Sequence, residues 1–344
     1  MKTLTIGLTY DLRSEYLQMG YSEEDTAEFD RADTIIAIEK ALNALGQETD
    51  RIGNGRKLTE RLARGDRWDL VFNIAEGLNG MAREAQVPAI LDLFEIPYTF
   101  SDPVVMGLSL DKGLTKQIVR DHGCPTPEFK VVRKPEDADD VHFDPPFFVK
   151  PVAEGTGKGI TERSIVRDRE GLKAACLELL YRYDQAVLVE RYLPGREFTV
   201  GILGTGDAAE ALGTLEVILL DNAEKGVYSY QNKENCESCV EYRLVKAAED
   251  SLVMEAEKVA LLAWQSLGCR DGGRMDLRCD AAGRPYFLEV NPLAGLHPQH
   301  SDLPILCSHL GIPYIQLIHR ILSSAASRIQ TLTHTTVRRR RCVS

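Results

Sequence analysis

The 344-residue chain carries 41 Lys plus Arg against 52 Asp plus Glu, a formal charge of -11 that repels a phosphate backbone and sets nucleic acid aside as a partner. With 44% hydrophobic and 27% charged residues it has ordinary globular usage, room for two or three compact domains, and too little Gly (27) and Pro (15) for a collagen-like or low-complexity chain. It lacks the apolar opening run of a signal peptide and any stretch of membrane-helix length, so the expected compartment is the cytoplasm, with no membrane partner.

Leu4, Ile6 and Leu8 alternate with Thr3, Thr5 and Thr9, which predicts an opening strand buried on one face. After a polar segment at 11–30, Ile35, Ile38, Leu42 and Leu45 recur at helical spacing up to Gly46, a residue suited to a left-handed cap. Residues 69–74 predict a second buried strand, 84–94 a helix and 96–99 a short extended piece. This alternation predicts a parallel sheet with helices on its faces.

A second block begins near Lys112, and the proline-rich connector 143–146 leads into a strand over 147–151. Lys150-Pro151-Val152-Ala153-Glu154-Gly155-Thr156-Gly157-Lys158-Gly159-Ile160 follows, three glycines and a hydroxyl directly after that strand. Its backbone N–H groups suit a phosphate clamp with Lys150 supplying charge; the competing reading is a plain hairpin turn, since neither the P-loop nor the dinucleotide pattern is present. Strands are predicted at 188–190, 197–202 and 215–220, then a polar stretch at 222–241 with the length of a lid.

Val253, Ala256, Ala260, Ala263 and Leu267 form a helical stripe closed by Gly268, and 275–277 with 286–290 predict a hairpin turned at 280–283. On that hairpin Asp276, Glu289 and Asn291 offer three hard oxygen side chains, Glu289 and Asn291 on one face, a set suited to magnesium. A capped hairpin edge is the alternative. Arg274 points to the face of Asp276, where it can hold a phosphate or an oxyanion or serve as a surface ion pair. Tyr314, Leu317, Ile318, Ile321 and Leu322 predict a last helix, and the Ser/Thr/Arg-rich remainder, ending in arginines at 338–341, is expected to be disordered. Cys342 stands one residue short of a prenylation box. The eight cysteines are scattered and expected to be free; Cys236-Glu237-Ser238-Cys239 has ligand or redox spacing, but with no second Cys or His pair nearby a loop is favoured.

Taken together these motifs resemble the ATP-grasp superfamily, and within it the D-alanine:D-alanine ligase family, from Lys2 to Leu322. The family's lysine looks like Asp111-Lys112, and its glycine loop like 150–159. Its adenine segment is similar to Leu188-Val189-Glu190-Arg191-Tyr192-Leu193 with Gly195-Arg196-Glu197, and its most specific element to Arg274-Met275-Asp276, Leu288-Glu289-Val290-Asn291 and Gly295. The resemblance implies an α/β (α+β) ATP-grasp fold. Its parts would be an N-terminal parallel-sheet domain over 1–110, a small central α+β lid domain over 111–190, a C-terminal catalytic domain with an antiparallel sheet over 191–325, and a tail over 326–344.

It also implies the chemistry. Lys112 and Lys150 would meet ATP phosphates, Glu190 and Leu193 adenine, and Glu197 ribose, with Glu154, Gly155, Gly157 and the lid's Lys233 also at the ATP site. Asp276, Glu289 and Asn291 would hold two magnesium ions, with manganese as the other ion this set accepts. One amino acid's carboxylate would be phosphorylated and then attacked by the amine of a second, giving a dipeptide for peptidoglycan synthesis, with Arg274 and the Gly295 N–H holding the oxyanion. A homodimer is the family's expectation.

The departures fall on the amino-acid side. The family's opening Gly-Gly-x-Ser turn is replaced by Thr9-Tyr10-Asp11-Leu12-Arg13, and Glu28 in Thr26-Ala27-Glu28 resembles the ammonium anchor, with a helix N-terminal carboxylate as the alternative. Asn73 stands where the family often has His, Thr156 where it has Ser, and Glu234 where it has a Tyr that orients the first substrate. Ser301 resembles the serine that meets the second carboxylate, one residue late. The expected function is an ATP-dependent carboxylate–amine ligase of D-alanine or other amino acids. A non-ligase ATP-binding module and a phosphoryl transferase of the same fold are the alternatives.

Overall fold

The computed structural model describes residues 3–224, 226–229, 231–232 and 235–341, with the side chains of all of these except 236, 237 and 330–341. The opening sheet is three-stranded and parallel, ordered β2-β1-β3 from β1 (Thr5–Tyr10), β2 (Glu48–Gly53) and β3 (Leu70–Ile74). Around it lie α1 (Arg13–Gln18), α2 (Ala32–Ala44), α3 (Gly55–Ala63) and, after a 3₁₀ turn at Arg83–Ala85, α4 (Gln86–Leu93). β2 escapes the sequence reading because Glu48-Thr49-Asp50-Arg51 is polar: it is an edge strand that buries only Ile52 and Gly53.

Asp102 and Asp111 cap α5 (Pro103–Leu110) and α6 (Lys112–Asp121) by accepting backbone N–H bonds from the first turns. The central sheet is antiparallel, ordered β4-β7-β5-β6, from β4 (Phe129–Val132), β5 (Phe147–Pro151), β6 (Ile165–Val166) and β7 (Val187–Arg191), and is covered by α7 (Arg169–Tyr183). The third sheet, ordered β10-β9-β8-β11-β12, is built from β8 (Glu197–Leu203), β9 (Glu210–Leu219), β10 (Val240–Val245), β11 (Gly272–Cys279) and β12 (Pro285–Asn291). A helical turn α8 (Cys236–Cys239) precedes β10, and α9 (Ser251–Leu267), ended by Gly268 in the left-handed conformation, packs Trp264 and five buried alanine and valine positions against this sheet. Helices α10 (Asp302–His309) and α11 (Tyr314–Arg341) close the chain.

The cores do not follow the expected boundaries at 110/111 and 190/191. Val119 of α6 packs with Phe198, Val200 and Phe287 of the third sheet, and the 190/191 division falls inside β7. Ile6 and Phe72 of the first sheet share a core with Leu296, Leu317 and Ile321, so the chain's end returns to its beginning. Helix α11 continues past the expected boundary at 325, and Arg328 donates to the buried Asp271 at 2.5 Å. No single described helix is long and apolar enough to cross a membrane. The described cysteines at 124, 176, 239, 269, 279 and 307 are free thiols.

Candidate functional site

Two cavities adjoin where the three sheets meet, one of about 290 Å³ and one of about 60 Å³, and both are lined by Tyr228 and Glu289. The β11–β12 hairpin builds their common wall. Its register sets Asp276 opposite Glu289 and Arg274 opposite Asn291, and the pleat turns each pair of i, i+2 residues to one face. Asp276 accepts from Thr199 Oγ1 at 2.9 Å, from Arg274 Nη1 at 2.5 Å and from Asn291 Nδ2 at 3.4 Å; Arg274 also lies 3.3 Å from Asp302. Two carboxylates and an amide oxygen on one face are the hard donors magnesium favours. Among the described residues no group of three or more His, Cys, Asp or Glu side chains is placed to hold a metal ion by itself.

Behind this wall stands a buried group of lysines. Lys150 Nζ lies 3.0 Å from Glu190 and 3.9 Å from Glu289, and Lys112 Nζ lies 3.7 Å from the same Glu289 oxygen and donates to the Glu154 carbonyl at 2.6 Å. Burial opposes the charge on Lys150, but Glu190 and Glu289 outweigh it and raise its pKa; on Lys112 burial wins and lowers it. Lys116, fully buried one helical turn after Lys112, pairs with Glu190 at 2.7 Å, and burial brings its pKa down to about 8. Glu190 is 2% exposed, and its two lysines overcome burial to keep it ionised. The smaller cavity continues from here between Phe148, Ile160, Leu193 and Leu288, with Gly157 at its wall and Glu197 held by Arg278 at 3.1 Å.

The larger cavity is polar. Glu154, Gly155 and Thr156 of the glycine loop line it, with Thr156 in the left-handed region at φ +52°. Gly155 has no room for a side chain: a Cβ there would lie 1.8 Å from Glu28 Oε1. The other oxygen of Glu28 accepts from Arg83 Nη2 at 2.9 Å. Opposite stand Gly295 and Ser301, whose Oγ accepts the His297 N–H at 3.0 Å and would lie 2.7 Å from a Cβ at position 295. Asp30, Glu76 and Glu84 line the cavity beside Glu28. Burial pushes Asp30 and Glu84 up to about 8, and the Glu28 carboxylate adds to the rise on Glu84.

That shift carries a stability prediction. The folded protein keeps the Glu84 proton between 4.5 and about 8, where the unfolded chain releases it, so stability is lost as pH rises through that window. Glu84→Gln is expected to match the parent's unfolding midpoint near about pH 5 and to exceed it by at least about 2 °C near about pH 8.5. A pH-independent difference in thermal denaturation contradicts the assignment.

The structure brings Lys112, Lys150, Glu154, Gly155, Thr156, Gly157, Glu190, Leu193, Glu197, Arg274, Asp276, Glu289, Asn291, Gly295, Ser301 and Glu28 to these two cavities or their shared wall. Asn73 is a correction. It is fully buried in β3, accepts from Thr9 Oγ1 at 2.8 Å and lines neither cavity, because β3 is buried along its whole length. Lys233 and Glu234 lie outside the described residues. Sequence reasoning missed Lys116, for which the i, i+4 spacing to Lys112 was the available signal, and Glu76, Arg83, Glu84 and Tyr228, whose placement at or beside the site no local pattern announces.

A family model described as the D-ala D-ala ligase C-terminus matches residues 118–323. The D-alanine–D-alanine ligase of Bordetella petrii is 33% identical over 298 residues, 86% of this chain and 87% of its own length. That of Aquifex aeolicus is 33% identical over 83% of this chain and 92% of its own. Among solved structures, D-alanine–D-alanine ligase from Bacillus anthracis complexed with ATP superposes with a TM-score of 0.71 at 22% identity, over 96% of this chain and 100% of that one. The hairpin, the lysines and the glycine loop thus converge on one centre in a chain with ligase relatives along most of its length, and the chain belongs to the D-alanine–D-alanine ligase family, with its ATP-grasp fold.

Proposed function

We propose that the protein is an ATP-dependent carbon–nitrogen ligase that joins two amino acids through an acyl phosphate, with D-alanine as the simplest substrate pair. The adjoining cavities carry this reading: an apolar slot and a polar chamber meet at Glu289, beside two buried lysines. In the slot, Phe148, Ile160, Leu193 and Leu288 offer flat walls to adenine, Glu190 and the Leu193 backbone its polar edge, and Glu197 the ribose. Lys150, Lys112 and the N–H groups of Gly155 and Gly157 then hold the phosphates. Asp276, Glu289 and Asn291 would hold magnesium, or manganese, which supplies charge neutralisation on the transferring phosphoryl group when bound.

A carboxylate oxygen of the first amino acid attacks the γ-phosphorus and ADP leaves. The amine of the second attacks the acyl carbon and loses a proton, and inorganic phosphate departs with the original carboxylate oxygen. Arg274 and the Gly295 N–H stabilise the oxyanion between these events. Glu28 faces the first ammonium and Ser301 the second carboxylate, with Thr156 of the glycine loop beside the reacting groups. A cytoplasmic homodimer completes the reading.

Glu28→Gln is expected to raise KM for the first amino acid about tenfold and leave that for ATP unchanged; equal effects on both contradict its role. The function itself is tested by phosphate release from ATP and magnesium across D- and L-amino acids, singly and in pairs, with mass spectrometry of products. An amide product supports the ligase reading and identifies the pair. A phosphorylated acceptor without an amide, or no release with any pair, overturns it.

A further inference from the structure

Four carboxylates, Glu28, Asp30, Glu76 and Glu84, face the N-terminal end of the larger cavity. The cations around them are largely committed. Arg83 is bonded to Glu28, Arg13 to Glu23 at 2.6 Å, Lys112 to Glu289 and the Glu154 carbonyl, and Arg31 is solvent-exposed. Glu84 is only 8% exposed, lines the cavity, and has no hydrogen-bond or ion-pair partner among the described residues. A desolvated carboxylate with no partner is costly, and an incoming cation is the group that offsets the cost. One α-ammonium satisfies one carboxylate, and Glu28 already has Arg83, with Lys158 3.9 Å away, so this end of the chamber holds more acid groups than the single ammonium of alanine can meet, and a second cation beside Glu84 would let it release the proton that burial keeps on it.

We infer that the acyl-donor end of the site takes an amino acid with a second cationic group, an ammonium or guanidinium on its side chain, and that Glu84 and Glu76 receive that group. The inference rests on the ligase reading for the orientation of the substrate, with its carboxylate toward Glu289 and its side chain toward Glu84. The raised pKa values of Asp30 and Glu84 fit a chamber that awaits positive charge.

The test is calorimetric binding of alanine, ornithine, lysine and arginine, in both stereochemistries, to the full chain saturated with magnesium and a non-hydrolysable ATP analogue. At least one basic amino acid is expected to bind about tenfold or more tighter than either alanine. Glu84→Gln is expected to cut that preference about tenfold, Glu84→Asp to retain part of it, and both variants to keep the affinity for the ATP analogue, which controls for folding. Equal or tighter binding of alanine, no binding of any basic amino acid, or a Glu84→Gln effect of the same size on alanine and on the basic amino acids overturns the inference; the last result makes Glu84 the α-ammonium anchor instead. Phosphate release measured with ATP on the same panel separates the two readings. Selective binding without release removes the ligase and leaves this site, whereas release with alanine pairs alone removes this site and leaves the ligase.

Discussion

Glu289→Gln is expected to lower kcat by about 10³-fold, the equivalent of about 4 kcal/mol of transition-state stabilisation, with the unfolding midpoint changed little. Glu289 is where the charges of the site converge: Lys112 and Lys150 approach the same carboxylate oxygen at 3.7 and 3.9 Å, Asp276 stands opposite it across the hairpin, and both cavities open onto it. Its removal leaves two cations without their shared counter-charge and takes one of only two carboxylates from the proposed metal set. Side-chain exposure of 23% means that the loss is felt by ligands more than by the core. Asp276→Asn should act in the same direction. Steady-state kinetics beside thermal denaturation checks both variants, and turnover retained at the parental level by either one contradicts the metal assignment.

Glu190→Gln is expected to act on folding and binding together. Lys116 is fully buried and Lys150 nearly so, and Glu190 lies between them at 2.7 and 3.0 Å. Neutralising that carboxylate leaves two ammonium groups in a low-dielectric interior, a change of about 3–5 kcal/mol in stability. Combining it with Lys116→Met removes one orphaned charge, so the double variant should be more stable than Glu190→Gln alone; this non-additivity distinguishes a charge triad from simple packing. Denaturant titration of the single and double variants reads it out. An unchanged midpoint for Glu190→Gln means that the triad is not ionised in the folded protein.

Much of this centre is legible in the sequence because it is local. The β11–β12 hairpin follows from apolar alternation on either side of a Gly-closed turn, and the same alternation places Asp276 and Arg274, and Glu289 and Asn291, on common faces. The helix ended by Gly268 and the strand before the glycine loop are readable for the same reason. What escapes depends on contacts between distant segments. β2 is polar along its length and becomes a strand only because β1 pairs with it. Asn73 occupies a plausible substrate position in the chain, yet β3 is covered on both faces and its side chain bonds to Thr9. Glu84 reads as a residue of a helix start, and only the approach of Glu28, sixty residues earlier in the sequence to the nearest ten, turns it into a buried neighbour of other carboxylates. Composition likewise does not register that Arg328, just beyond the expected boundary at 325, meets the buried Asp271.

The central claim is that a carboxylate of the first substrate becomes an acyl phosphate, and oxygen transfer tests it most directly. The acyl-donor amino acid is labelled with ¹⁸O in its carboxylate, incubated with the protein, magnesium, ATP and the second amino acid, and the released phosphate is analysed by mass spectrometry. One labelled oxygen in each inorganic phosphate is the predicted result, because the phosphate leaves with the oxygen that attacked the γ-phosphorus. Unlabelled phosphate, released at the same rate with and without the amino acids, contradicts the account.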